Sequence, residues 1–198
     1  MKKKIKWGII STAKIAETDL IPAIKKSKNS ELVAVASRNK DKAAKFAKKN
    51  KIKKIYDSYK KICEDKDIDI IYNPLPNHLH VNSTVNAIKN DKHVLLEKPI
   101  TLKSKEVNII AQAAKKKNKI VKEAFMVRHH PQWQWVKKYI DSNKIGKVNG
   151  ITTLFSYKNL DPKNIRNIKR YGGGGLYDIG CYAIVISRYL LGKEPKKV

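Results

Sequence analysis

The segment His93–Ile100, HVLLEKPI, sets an apolar run directly against Glu97, Lys98 and Pro99. The run reads as a buried strand, so the charged pair falls at that strand's carboxyl end. In open parallel sheets, ligands bind beyond the carboxyl ends of the strands. An ammonium held there can hydrogen-bond a substrate hydroxyl and ease removal of its proton as hydride leaves the carbon. A desolvated lysine can also carry the proton itself. Pro99 removes a backbone donor and fixes φ, which ends strand pairing in a rigid turn. In a chain so rich in lysine, a solvated strand-end lysine is the bland alternative.

Two further stretches have the types and spacing for binding a dinucleotide. After the first apolar run the chain reads GIISTAKIA. A pyrophosphate-binding turn in this position normally carries glycines, so that backbone N–H groups approach the phosphates at a helix N-terminus. Ser11 and Ala13 stand where glycines are expected, and Ala16 holds the third, close-packing position. Ser11, Thr12, Ala13, Lys14 and Ile15 are the candidate contacts, and an ordinary strand-to-helix turn is the alternative. The end of the second strand chooses between NAD and NADP, because a carboxylate there accepts from the ribose 2′-OH and repels a 2′-phosphate. Here the tip reads Ser37-Arg38, with Lys42 one helical turn on and no carboxylate at the tip. That favours NADP, with NAD still possible.

The elements that must position these residues alternate in type. Strands are expected at IKWGIIS, ELVAVAS, KKIYDS, DIDIIYNPLP, HVLLEKP and KIVKEAFM. Helical spacing lies between them: AKIAETDLIPAIKKS with a local break at Pro22, NKDKAAKFAKKN, SYKKICED, NHLHVNSTVNAIKND, and SKEVNIIAQAAKKKN with an apolar face of Val107, Ile110, Ala111 and Ala114. Strands apolar on both faces and separated by helices imply a parallel sheet covered on both sides. The fold class is therefore α/β, a doubly wound Rossmann sheet over residues 1–124. From 125 to 198 the rhythm changes. HPQWQWVKKYIDS is helical, KVNGITTLFSYKN has the period-2 character of a longer strand, and GGGGLYDIGCYAIVISRYLLG is a glycine loop feeding a buried helix. This part reads as the start of an incomplete α+β domain.

Composition narrows the class. The 198 residues carry a formal charge of +27, supplied almost entirely by lysine spread along the polar faces of expected helices. That suits a solvated surface and helix C-termini better than a specific nucleic-acid site. No apolar run reaches the roughly 18 residues of a membrane span. MKKKIKWGII has a patch too short for a signal peptide and reads as a first strand. Two cysteines make neither a metal pattern nor a disulfide framework, which fits a cytoplasmic chain. His129 and His130 are adjacent, cannot both face one site, and read as loop or packing residues, so no metal is expected.

Taken in order, STAKIA, SR, EKP, EAFMVRHHPQ and GGGGLYDIGCY resemble the Gfo/Idh/MocA oxidoreductases over the whole chain, and within them the NADP-dependent sugar and dihydrodiol dehydrogenases. The resemblance implies that Lys98 is catalytic, with Asp178 and Tyr182 of DIGCY as the second catalytic element, Tyr182 handling a proton. Asp178 and Tyr182 are four apart at a helix start and so share a face. It further implies cofactor contacts from Leu75, Asn77 and His80 after the fourth strand, from Glu97, and from Arg128, Ile165 and Arg166. The implied substrate is a small sugar or diol. The implied second domain is built on a mostly antiparallel sheet that commonly forms homo-oligomers, and only its beginning is expected here. A catalytically inert dinucleotide-binding protein, such as a redox sensor, is the competing reading.

Overall fold

A computed structural model describes residues 3–198. The chain divides into two compact units, Met1–Ala124 and Phe125–Val198.

The first unit is one six-stranded sheet in the order β3-β2-β1-β4-β5-β6, with all pairs parallel. Its strands are β1 (Ile5–Ile10), β2 (Ser30–Ala36), β3 (Lys54–Tyr56), β4 (Ile70–Asn73), β5 (His93–Leu96) and β6 (Val121–Glu123). The crossovers run through α1 (Ile21–Lys26), α2 (Lys40–Asn50), α3 (Tyr59–Glu64), α4 (His80–Lys89) and α5 (Ser104–Lys117). The chain order reverses between β1 and β4, which makes the switch point at which this architecture binds ligands.

Two buried clusters hold the helices to the two faces. One gathers Ile10, Ile62, Ile71, Ile88, Val94, Leu96 and Ile110; the other gathers Ile9, Val35, Phe46, Ile52 and Tyr72. Alternate residues of β1 therefore feed opposite clusters, as the two-residue period of a strand requires. Gly8 lies where a Cβ would sit 3.0 Å from methyls of Ile68 and Ile71 and 3.2 Å from one of Ile62. The strand is packed there on bare backbone.

Two local expectations fail in this unit. Pro22 does not break its helix. A wide π turn over Ala16–Leu20 precedes it, and the Ile21 N–H reaches back to the Ala16 carbonyl. Pro22 then falls in the first turn of α1, and the helical run that begins at Lys14 continues through it to Lys26. On α5, Val107 and Ala111 are exposed. The packing face is Ile110 with Ala113 and Ala114, one step round the helix from the expected stripe.

Below β3 a polar cluster ties the sheet edge to the loop after α3. Lys54 Nζ donates to Asp65 at 2.9 Å and to Asp67 at 2.8 Å, and the Tyr56 hydroxyl donates to Asp65 at 2.7 Å. Burial, the largest single influence on the Asp65 carboxyl, pushes its pKa up. The hydrogen bonds from Lys54, Tyr56 and the Asp67 N–H, with the Lys54 charge, together outweigh burial and bring it from the ordinary 3.8 to about 2. A carboxyl lowered by folding stabilises the fold above its ordinary pKa, and the contribution disappears as pH falls toward the folded value. The chain is expected to lose about 1–2 kcal/mol between about pH 4 and pH 2 from this group, after allowing for screening. Denaturant titrations of wild type and Asp65→Asn across that range check it: the variant's stability should fall less steeply with acid.

The second unit contains α6 (Pro131–Asp141) and α7 (Cys181–Leu191), with short 3-10 turns at Met126–His129, Ile165–Asn167 and Lys169–Tyr171. His130 caps α6, its Nδ1 accepting from the Gln132 N–H at 3.2 Å, which accords with a loop role. The expected strand in KVNGITTLFSYKN is not formed: residues 146–161 adopt no regular structure. A strand exists only through its ladder, and among the described residues the second unit contains no other strand to supply one. The alternating side chains are left in solvent, Leu154 92% exposed. Helix α7 is also less buried than expected, since Ile186 and Leu190 are buried while Ile184 is 52% exposed.

Candidate functional site

Four adjacent strands bring the first unit's candidates to one edge of the sheet. Ser11–Ile15 follow β1, Ser37, Arg38 and Lys42 follow β2, Leu75, Asn77 and His80 follow β4, and Glu97 and Lys98 follow β5. They come from loops scattered through some ninety residues of sequence and meet only because every strand points the same way.

The turn after β1 fits a dinucleotide. Ser11 has φ 149°, a conformation natural to glycine and strained for serine. The chain thus keeps the glycine-type turn at a position where the side chain is not glycine. Thr12 and Ala13 follow with small side chains, and the helix begins at Lys14. At the tip of β2, Ser37 is buried and its Oγ accepts from the Asn39 N–H at 3.2 Å. Asn39 in turn caps α2 by accepting from the Lys42 N–H at 2.8 Å. Arg38 and Lys42 are exposed, and among the described residues no carboxylate pairs with either. The cationic tip suits a 2′-phosphate.

The turn after β5 is braced from behind. Lys98–Pro99 is a cis peptide. The Glu97 N–H donates to the Asn73 carbonyl at 3.0 Å, the Tyr72 hydroxyl donates to Glu97 Oε1 at 2.6 Å, and the Ile100 N–H donates to Glu123 Oε1 at 2.7 Å. Burial pushes the Glu97 carboxyl up, opposed by the Tyr72 hydrogen bond and the Lys98 charge, and burial likewise pushes up Glu123. Asn73 is fully buried and its amide donates to Ser83 Oγ at 2.8 Å and Thr84 Oγ1 at 3.1 Å, which locks the end of β4 to α4.

His80 takes a different place from the one expected. It is fully buried, with Nδ1 2.8 Å from the Pro99 carbonyl and Nε2 2.8 Å from the Leu75 carbonyl. A ring with both nitrogens occupied and no exposed surface has nothing left for a ligand, so its part is behind the site.

In the second unit Asp178 lies in a π turn, Leu176–Gly180, that leads into α7. Its carboxylate accepts from the Tyr157 hydroxyl and from Arg166 Nε, the latter at 3.0 Å. Asp178 is thereby fixed by Tyr157 from the irregular segment and by Arg166 from the 3-10 turn after that segment, and the Tyr157 hydroxyl is pushed up by the carboxylate it serves. Tyr182, one turn later, packs edge-on against Phe125 at 5.4 Å between centroids. Ile165 is 40% exposed beside Arg166. The Arg128 guanidinium lies over the Tyr189 ring at 5.7 Å.

Three residues that bear on these groups escaped the reading of the sequence. Tyr72 stands one residue before the end of an apolar strand, an unusual place for a phenol, and that was a usable signal. Glu123 marks the carboxyl end of β6 in the same way. Tyr157 was hidden by the strand pattern around it. Among the described residues no group of three or more His, Cys, Asp or Glu side chains is placed to hold a metal, and no helix is long and apolar enough to cross a membrane.

Comparisons with known proteins bear on both units. The model of the GFO/IDH/MocA oxidoreductase family, NAD-binding Rossmann fold, matches residues 5–125, and that of the GFO/IDH/MocA C-terminal domain matches residues 133–198. A trans-1,2-dihydrobenzene-1,2-diol dehydrogenase from Xenopus laevis is 34% identical over 200 residues, covering 98% of this chain and 59% of the relative. A D-xylose 1-dehydrogenase (NADP(+)) from Haloferax volcanii is 34% identical over 191 residues, covering 96% and 58%. Among solved structures, a 3-ketoreductase from Actinomadura kijaniata in complex with NADP and TDP-benzene superposes with a TM-score of 0.90 at 32% identity, covering 96% of this chain and 58% of that one. The chain thus spans little more than half the length of the proteins it matches.

Proposed function

Because the chain belongs to the GFO/IDH/MocA family of oxidoreductases, we propose that it is an NADP-preferring dehydrogenase or reductase acting on a carbinol or carbonyl of a sugar or related diol. The observation that carries this reading is the parallel-sheet edge that gathers a glycine-type turn at Ser11, a cationic tip at Arg38 and a braced lysine at Lys98.

In this reading the turn of Ser11, Thr12 and Ala13 holds the pyrophosphate, and Arg38 with Lys42 holds the 2′-phosphate. When bound, the nicotinamide supplies or accepts the hydride. Lys98 donates a hydrogen bond to the substrate oxygen and stabilises negative charge as its proton departs. Tyr182 takes that proton in the oxidative direction and returns it in the reductive one. Asp178, anchored by Tyr157 and Arg166, orients the groups that move the proton. Tyr72 and Asn73 act behind Lys98, fixing Glu97 and the backbone of the turn. The division of labour between a dinucleotide-binding part over 1–124 and, over 125–198, the incomplete beginning of an α+β substrate and self-association domain belongs to the same proposal.

Steady-state assays with a panel of aldoses and vicinal diols, NADP or NAD supplied in turn, test it. Turnover with at least one substrate is expected. Cofactor binding without turnover across the panel would return the inert reading. Arg38→Ala should weaken NADPH by about tenfold or more while changing NADH less than about threefold, since one charge-assisted phosphate contact is worth about 1.5–3 kcal/mol. Equal losses for both cofactors would place the 2′-phosphate elsewhere.

A further inference from the structure

The His80 ring makes two contacts that a neutral imidazole cannot satisfy together. Its nitrogens lie 2.8 Å from the carbonyl oxygens of Pro99 and Leu75. A carbonyl oxygen only accepts, and a neutral imidazole carries a single N–H. One contact is therefore a hydrogen bond while the other sets lone pair against lone pair, unless the ring holds two protons. Burial opposes that second proton and holds the ring pKa below its ordinary value, while each carbonyl pulls the other way.

The two carbonyls belong to different loops. Leu75 follows β4, and Pro99 is joined to Lys98 by the cis peptide at the end of β5. His80 opens α4, whose Ser83 is bonded to Asn73 at the end of β4. The other titratable groups on these elements are His78 on the preceding 3-10 turn, Tyr72 on β4, Lys89 at the end of α4, His93 at the start of β5, Glu97 and Lys98 on the β5 turn, and Glu123, which holds the same turn through Ile100. Glu97 is occupied by Tyr72 and Glu123 by Ile100. The ring thus adds a link between the β4 loop and the lysine turn, beside the Glu97 N–H bond to the Asn73 carbonyl and the Tyr72 bond to Glu97.

We propose that His80 is a positioning residue for Lys98: its ring straps the Pro99 carbonyl to the Leu75 carbonyl, loosely through one hydrogen bond when neutral and firmly through two when it carries both protons. The consequence for turnover rests on the function proposed above; the strap does not. Acid strengthens the strap, because the proton it adds is the missing donor.

The test uses the whole chain labelled with nitrogen-15 in histidine. Long-range proton–nitrogen spectra are followed from about pH 8 to about pH 5, with His80 assigned by loss of its signals in His80→Gln. The expected result is one protonated ring nitrogen at the high end, two at the low end, and slowly exchanging protons on both in the charged form. A ring that stays singly protonated throughout, or ring protons that exchange rapidly in the charged form, would overturn the proposal. Hydrogen exchange of the Glu97–Thr101 segment supplies the second reading. It should slow on acidification beyond the intrinsic pH effect in wild type and show no such extra slowing in His80→Gln. If the enzyme reading holds, His80→Gln should lower kcat by about tenfold or more, with NADPH affinity changed less than about threefold. His80→Asn, too short to span the loops, should lose more. An absence of turnover in wild type would defeat the enzyme reading and leave the spectra to decide the strap.

Discussion

Lys98→Met is expected to lower kcat by about a thousand-fold, with NADPH binding, followed by fluorescence enhancement, held within a few-fold of wild type. Methionine keeps most of the length and apolar stem but removes the charge and the three donors. A positioned acid–base group is worth about 10²–10⁴ in rate. The turn itself should survive, because its bracing comes from backbone and neighbours: the Glu97 N–H on Asn73, the Tyr72 hydroxyl on Glu97, and Glu123 on the Ile100 N–H. The comparison of kcat with binding therefore separates chemistry from folding. Near-normal turnover in Lys98→Met would remove the proposed mechanism at its centre.

Gly173→Ala is expected to have the largest effect of any glycine replacement in the second unit. A Cβ at Gly173 would lie 2.5 Å from the Arg166 carbonyl oxygen, 2.8 Å from its carbon and 2.8 Å from the Ile165 carbonyl oxygen. All three are backbone atoms, so no side chain can turn aside. The neighbouring Gly174 N–H donates to that same Arg166 oxygen at 2.8 Å, and the Gly173 N–H to the Ile168 carbonyl at 3.1 Å. Opening this turn pulls Arg166 from Asp178. A cost of about 1–3 kcal/mol follows from forced overpacking, with turnover falling by about tenfold or more as Asp178 loses a partner. Gly175→Ala is the control, since nothing lies within 4 Å of its Cβ position and it sits in a helical conformation. Equal melting temperatures and rates for the two variants would show that the glycine turn does not hold Asp178.

What the sequence made legible follows from how strongly each element is determined by its own residues. The six strands could be read because each is an apolar run flanked by polar helices, a pattern that only a covered parallel sheet satisfies. Their common direction then placed Ser11, Arg38 and Lys98 at one edge without any knowledge of side-chain packing. The helical stretches NKDKAAKFAKKN and SYKKICED start at Asn39 and Ser58, which in the structure cap α2 and α3 by accepting from the Lys42 and Lys60 N–H groups. The failures came where structure depends on partners far along the chain. The period-2 stretch around Phe155 needs a neighbouring strand that its own residues cannot supply. Pro22 looked like a break because a π turn leaves no signature in composition. Val107 and Ala111 fit a helical stripe, but where the sheet meets that helix was decided by Ile110. The occupied ring of His80 could not be foreseen, because its partners are carbonyls, which every residue possesses.

Gly8 has a consequence for the height of the loop three residues beyond it. Most strands are kept at their distance from a covering layer by their own side chains. At Gly8 the central strand has none, and methyls of Ile62, Ile68 and Ile71 crowd the place a Cβ would take, 3.0–3.2 Å from it. These three isoleucines are among the most deeply buried residues in the molecule. They act as shims: their bulk decides how far β1 stands proud of or sunk below its neighbours, and hence how level Ser11 sits with the tips of β2 and β4. Trimming a methyl beneath the sheet would tilt the rim above it, far from any residue that meets a ligand.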